Sequence, residues 1–156
     1  MIDFSFCDTI IGRVGIIGND DYIVEISIGS SPRIPSSTKQ KGSLLIIEAI
    51  KQIEAYFAGH LKKFDLPLQL NGTPFMKKVW RALQNIPYGT TVSYKEIAIA
   101  VGSPKACRAV GLANKRNNIP LVIPCHRVIN SDGTLGGFSC GYDKKRLLIE
   151  LERSFL

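Results

Sequence analysis

Apolar and polar residues alternate with a period of two through the first 28 positions, in the sets Ile2-Phe4-Phe6, Val14-Ile16 and Tyr22-Val24-Ile26-Ile28. With Gly18-Asn19-Asp20-Asp21 as a turn, the pattern predicts an antiparallel meander. Residues 29–42, rich in Ser, Pro and Gly, read as a flexible connection. The period then becomes helical at Ile46, Ile50, Ile53 and Phe57, with Ser43 as N-cap and Gly59 as stop. A short extended piece, Phe64 to Leu70, leads to Asn71-Gly72-Thr73, and the domain boundary is placed there, giving 1–70 and 71–156.

The second part reads as mostly helical. Thr73-Pro74 opens a helix whose Phe75, Val79, Leu83 and Ile86 share a face, with Met76 and Trp80 beside them, and Pro87-Tyr88-Gly89 ends it. Ser93 and Glu96 have the spacing of a capping box for a short helix that Gly102 stops. Ser103-Pro104 predicts a restart reaching about Arg116, with a small-sided interior at Ala106, Ala109, Gly111 and Ala113. Helix, break, helix is a helix-turn-helix pattern. A last helix opens at Asp143 and packs through Leu147, Leu148 and Leu151. The fold class is therefore α+β: a small antiparallel sheet with a helix, then a mostly helical domain.

Charge sharpens this division. Of a formal net charge of +7, residues 1–70 carry 7 basic and 8 acidic side chains and residues 71–156 carry 13 and 5. No acidic residue lies between Glu96 and Asp132, while the second helix of the pair sets Lys105, Arg108, Leu112 and Lys115 along one face and ends at Arg116. An ordinary hairpin with a solvated face would look similar, but the acid-free stretch favours a polyanion, namely DNA. A hydrophobic content of 45% is that of a globular chain, and no apolar run is long enough for a membrane helix. The first residues lack a secretory pattern, so Cys7, Cys107, Cys125 and Cys140 read as reduced thiols. The Cys and His residues do not pair at metal-ligand spacings, so no metal is expected.

The candidate chemistry lies in Ile119-Pro120-Leu121-Val122-Ile123-Pro124-Cys125-His126-Arg127. An apolar, proline-stiffened run delivers a thiol and an imidazole in succession. A thiol attacks as thiolate and needs a base, and the base needs an orienting acid, which Glu150 or Glu152 could supply. A buried structural cysteine beside a surface histidine would give the same dipeptide.

Pro124-Cys125-His126-Arg127-Val128-Ile129 resembles the active-site signature of the O6-alkylguanine-DNA alkyltransferases. The resemblance extends over about residues 74–153. It takes in Pro87-Tyr88-Gly89, Val92-Ser93-Tyr94, Pro104-Lys105-Ala106, Arg108-Ala109-Val110-Gly111, Asn118-Ile119-Pro120, Gly136-Gly137-Phe138-Ser139, and Lys145 with Leu147-Leu148 and Glu152. It implies damage reversal, in which an alkylated guanine (or, as a second candidate substrate, O4-alkylthymine) is flipped from duplex DNA and its alkyl group passes irreversibly to the protein, once per molecule and without a cofactor. By position, Cys125 would be the acceptor, His126 its base through a water, Glu152 the orienting acid and Tyr94 the proton donor to guanine. Asn118 would brace the turn between recognition helix and active site. Arg108 would fill the gap left by the flipped nucleotide, and Ser93, Lys105, Ala109, Gly111, Lys115 and Arg116 would meet the minor groove. Leu135, Gly136, Phe138, Ser139 and Cys140 would line the alkyl pocket.

The same resemblance implies a ribonuclease H-like first domain, a monomer, and a cytoplasmic location, or a nuclear one in a eukaryotic source. Phe138 stands where many relatives carry tyrosine, and Cys140 where glycine is common. Three other functions fit parts of the pattern: a lesion binder without chemistry, a regulator signalled by its alkylated cysteine, and a Cys-His hydrolase. The first lacks an acceptor cysteine, the second needs extra segments, and the third leaves the basic helix unexplained.

Overall fold

Strand β1 (Asp3–Thr9) turns tightly into β2 (Gly12–Gly18), and β3 (Ile23–Ile28) completes an antiparallel meander. The computed structural model describes residues 2–29, 39–40 (backbone only), 42–138 and 140–156. Side chains close both turns. Thr9 Oγ1 donates to Gly12 O at 2.8 Å and accepts from Ile11 N at 3.2 Å, and Asn19 Oδ1 accepts from Asp21 N and Tyr22 N, each at 2.8 Å. A fourth strand, β4 (Lys39–Gln40), runs parallel to β1, so the order is β3-β2-β1-β4. It arises inside the predicted connection 29–42, of which residues 30–38 and 41 lie outside the described residues. Two residues are too few to show a period.

The alternation expected for β3 slips by one. Ile17 pairs with Glu25 and Gly18 with Ile23, which leaves Val24 as a bulge. An extra residue reverses the inward side, so Ile23 joins Ile26 and Ile28 in the core while Tyr22 is exposed. Helix α1 (Leu44–Phe57) is capped as predicted, Ser43 Oγ accepting from Ile46 N at 3.3 Å. Its buried stripe is Ile46, Ala49, Ile53 and Tyr56, with Ile50 and Phe57 at the margins. Tyr56 sets the phase, because its ring is held 5.1 Å from Phe57 and 5.3 Å from Phe64. Gly59, at φ +80°, ends the helix.

The chain forms two compact units, residues 1–70 and 71–156. In the second, α2 (Pro74–Gln84) starts on a Thr73 cap and buries Val79, Trp80 and Leu83. The Trp80 indole donates to Ala113 O at 2.8 Å, tying α2 to the helix that carries the basic face. Strand β5 (Val92–Ser93) feeds α3 (Tyr94–Ala100), with both bonds of the capping box formed: Glu96 N to Ser93 Oγ at 3.1 Å and Ser93 N to Glu96 Oε2 at 2.6 Å.

Gly102, at φ +79°, turns the chain toward α4 (Cys107–Lys115). This helix starts at Cys107 rather than at Ser103-Pro104. A residue before proline resists helical geometry. Ser103 N instead closes the previous helix on Ala98 O at 2.9 Å, and Ala106 N turns back to Ser103 O at 2.9 Å. Strand β6 (Val128–Ile129) pairs in parallel with β5, and α5 (Tyr142–Ser154) closes the unit.

Candidate active site

Between α4 and β6 the chain crosses the core as an apolar strap. Leu121, only 1% exposed, sits at φ +74°, the one positive φ among the described non-glycine residues. Such backbone costs energy and persists only where neighbours enforce it. Asn117 is the enforcer: its Nδ2 donates to Ile123 O at 2.8 Å and its Oδ1 accepts from Ile119 N at 2.9 Å. The predicted brace, Asn118, is exposed, and its neighbour makes these bonds. The correction has a simple cause: Arg116 is the C-cap of α4, and the residue that follows points inward where the next points out.

Pro124 then leads into a single 3-10 turn, Cys125–Arg127, in which all three side chains are buried. Turning so sharply separates two adjacent side chains. Cys125 is held by its carbonyl, which accepts from Asn114 Nδ2 at 3.3 Å. Burial pushes its thiol up to about 12, opposed by a hydrogen bond from Asn117 and by the charge of Lys145. At neutral pH the thiol is therefore protonated, and ionising it requires a nearby proton acceptor.

His126 points to α5, where Glu152 gathers the polar groups. Glu152 Oε2 lies 2.6 Å from His126 Nε2 and accepts from Arg127 Nη2 at 3.1 Å, while Oε1 accepts from Arg127 Nε at 2.8 Å and from Gly89 N at 3.0 Å. Arg127 Nη1 also donates to Ile86 O at 2.8 Å. Glu152 is 1% exposed, and its partners still hold the carboxyl well below the usual range despite burial. An ionised carboxylate at Nε2 requires the imidazole proton there. Nδ1 is then the free lone pair, and it is buried with no protein hydrogen-bond partner among the described residues. Burial holds His126 below its ordinary value, that is, neutral.

Both shifts make stability acid-sensitive. Folded His126 and Glu152 each protonate below their ordinary values of 6.5 and 4.5, so each contributes stability that is complete above that value and lost as pH falls. Urea titrations should show the unfolding free energy declining from pH 7 to 5 and more steeply below about 4.5.

Between the start of α3, the side of α4 and the loop before α5 opens a cleft of about 380 Å³ lined by Tyr94, Gly111, Asn114, Lys115, Gly137 and Phe138. Asn114 thus links its wall to Cys125. Tyr94, the first residue of α3, is half-buried, and its hydroxyl is raised by burial and by the charge of Cys125. Leu135, Gly136 and Cys140 are half-buried in the same loop, and Ser139 lies outside the described residues. A second cleft of about 390 Å³ includes Tyr94, Lys95, Cys107, Arg108 and Gly111. On α4 and its approaches, Lys105, Arg108, Ala109, Leu112, Lys115 and Arg116 are exposed. Ser93 is half-buried, its hydroxyl committed to the cap.

Known families match the chain over each of the two units. The family models described as "6-O-methylguanine DNA methyltransferase, DNA binding domain" and "6-O-methylguanine DNA methyltransferase, ribonuclease-like domain" match residues 74–154 and 2–70. The chain belongs to the 6-O-methylguanine DNA methyltransferase family. It is 45% identical over 154 residues to the methylated-DNA–protein-cysteine methyltransferase of Mycolicibacterium paratuberculosis, covering 98% of this chain and 93% of that protein. The constitutive enzyme of that name from Bacillus subtilis is 42% identical over 156 residues, covering 96% and 94%. A crystal structure of Mycobacterium tuberculosis OGT in complex with DNA superposes with a TM-score of 0.91 at 40% identity, covering 98% of this chain and 94% of that one.

Four residues of this site receive no role from the sequence pattern: Asn114, Asn117 and, although both fall in segments that carry the family resemblance, Arg127 as a partner of Glu152 and Lys145. Two are asparagines near a helix end, which reads as capping. The basic pair reads as surface charge, yet Lys145 is fully buried and Arg127 nearly so. Among the described residues no helix is long and apolar enough to cross a membrane.

Proposed function

We propose that this protein repairs duplex DNA by moving the alkyl group of O6-alkylguanine onto Cys125, irreversibly and once per molecule. The observation that carries the reading is the buried Cys125 thiol followed in the chain by a buried imidazole fixed by Glu152, in a unit that presents an acid-free basic helix. His126 takes the thiol proton on Nδ1 through a water, and the Glu152 carboxylate stabilises the resulting imidazolium against the opposing charge of Arg127. The sulfur then attacks the alkyl carbon: the S–C bond forms, the C–O6 bond breaks, and the electron pair leaves with guanine, which takes a proton from Tyr94. Guanine is a poor anionic leaving group, so a positioned acid is required. The cleft that Asn114 links to Cys125, with Phe138 and Gly137 in its wall, takes the alkylated base. Reaching it demands that the nucleotide leave the stack, at a cost of a few kcal/mol.

The exposed set Lys105, Arg108, Lys115 and Arg116, with small Ala109 and Gly111 between them, suits close approach to the backbone along a minor groove. Arg108 fills the vacated space. The unit 71–156 binds DNA and accepts the alkyl group, and the unit 1–70 supports it. The protein acts as a monomer, and its thiols suit a reducing compartment, the cytoplasm or, in a eukaryotic source, the nucleus.

Repeated addition of O6-methylguanine duplex tests the reading. One equivalent should be repaired and later additions left unrepaired, whereas continuous turnover would contradict transfer to the protein. Arg108→Ala should slow repair in duplex DNA by about tenfold or more while sparing reaction with free O6-benzylguanine, as loss of a wedge worth a few kcal/mol requires. Equal slowing of both substrates would remove the wedge role.

A further inference from the structure

A leucine interrupts the basic face of α4. Leu112 is 47% exposed, four residues after Arg108 and three before Lys115, so the three side chains lie on one side of the helix in successive turns. The surface beside it is low. Ala109 is exposed, and a Cβ built on Gly111 would meet nothing within 4 Å. Leu112 therefore stands above its neighbours instead of sinking among them. A lone exposed leucine needs no explanation in itself. This one lies on the surface that carries Lys105, Arg108, Lys115 and Arg116, in a stretch with no acidic residue between Glu96 and Asp132.

We infer that Leu112 is a duplex-affinity residue, which packs on the apolar faces of the deoxyriboses lining the minor groove and gives binding a component that salt does not screen. This rests on the reading of α4 as the DNA-facing helix. Lys115 lies about 10 Å beyond Arg108 along the helix axis, at 1.5 Å per residue. With Arg108 in the space of the flipped nucleotide and Lys115 at the backbone, the side chain between them is carried over the groove wall. The groove is about 6 Å wide, and sugar carbon lines its walls. A leucine covers such carbon without stranding a polar group. Gly111, its neighbour in the chain, lines both clefts, so the contact adjoins the pocket that takes the base.

The cations and the leucine of this face answer differently to salt. A cation at a phosphate releases counterions, so its contribution falls as salt rises. A leucine on a sugar removes apolar surface from water and releases no ion. Burying the exposed half of its side chain is worth about five- to tenfold in affinity. Every nucleotide presents the same sugar, so the contact carries no sequence information. It holds the helix in the groove at any sequence, as a search for scattered lesions requires.

The test is a salt series of equilibrium binding to an undamaged duplex of mixed sequence, on which no transfer intervenes. Wild type is compared with Leu112→Ala, Leu112→Met and Lys115→Ala, with folding of each checked by thermal melting. Leu112→Ala should bind about five- to tenfold more weakly at every salt concentration, its plot of log affinity against log salt parallel to that of wild type. Leu112→Met, similar in volume, should bind like wild type. Lys115→Ala should instead flatten the slope by about one unit. Wild-type affinity in Leu112→Ala would overturn the proposal, and a change in its sedimentation would then assign the leucine to contact between copies of the chain. A loss that shrinks as salt rises would overturn it too, since that is the behaviour of a charge. If wild type binds no duplex, or binds it without salt dependence, the DNA-binding reading of α4 fails instead.

Discussion

Replacing Cys125 with serine should abolish alkyl transfer while leaving duplex affinity and melting temperature close to wild type. Serine is nearly isosteric, and the local backbone is fixed by Asn114 and Asn117 through atoms the substitution leaves in place. The hydroxyl is a far weaker nucleophile toward saturated carbon, and loss of a nucleophile can cost on the order of a millionfold when nothing substitutes for it. The check is a paired measurement, gel-shift affinity for O6-methylguanine duplex and methyl loss from the same DNA. Retained transfer in the serine variant would move the acceptor elsewhere, and lost binding would mean that the thiol is structural.

Glu152→Ala should be the most damaging single change to stability. The carboxylate accepts from Gly89 N and twice from Arg127, and it holds His126. Its removal leaves a buried guanidinium without its anion, and breaking a buried pair this way typically costs about 3–5 kcal/mol. Chemical denaturation should show a loss of that order. Transfer by the remaining folded protein should fall as well, because the imidazole loses the group that fixes its proton on Nε2. Stability within about 1 kcal/mol of wild type would contradict the network described, since it would require Arg127 to find solvent or a new partner.

The parts of the site legible in the sequence are those joined by the chain itself. Cys125 and His126 are adjacent, and the prolines and apolar run before them announce burial. The orienting acid is only half legible, as Glu150 or Glu152. Helix phase decides it: Glu150 is exposed beside Arg146, at 3.9 Å, while Glu152 faces the core. Asn117 and Asn118 differ by a single position at a helix end, and no period exists there to say which points inward. Lys145 is hidden for another reason, because a lysine in an amphipathic helix reads as solvated unless its carbonyl partners, ten and eight residues earlier, are known to fold back over it.

Elsewhere the same logic holds. Caps and turns are local and are read well at Ser43, Thr73 and the Ser93–Glu96 box. The Val24 bulge and the parallel pairing of Lys39–Gln40 depend on a partner strand, and neither leaves a local mark.

The central claim is that the alkyl group ends on Cys125. Incubation with duplex DNA carrying O6-methylguanine, followed by digestion and peptide mass measurement, tests it most directly. The account predicts a gain of one methyl group on the peptide containing Cys125 and on no other cysteine peptide. A methyl group found on Cys7, Cys107 or Cys140, or repaired DNA with unmodified protein, would contradict it.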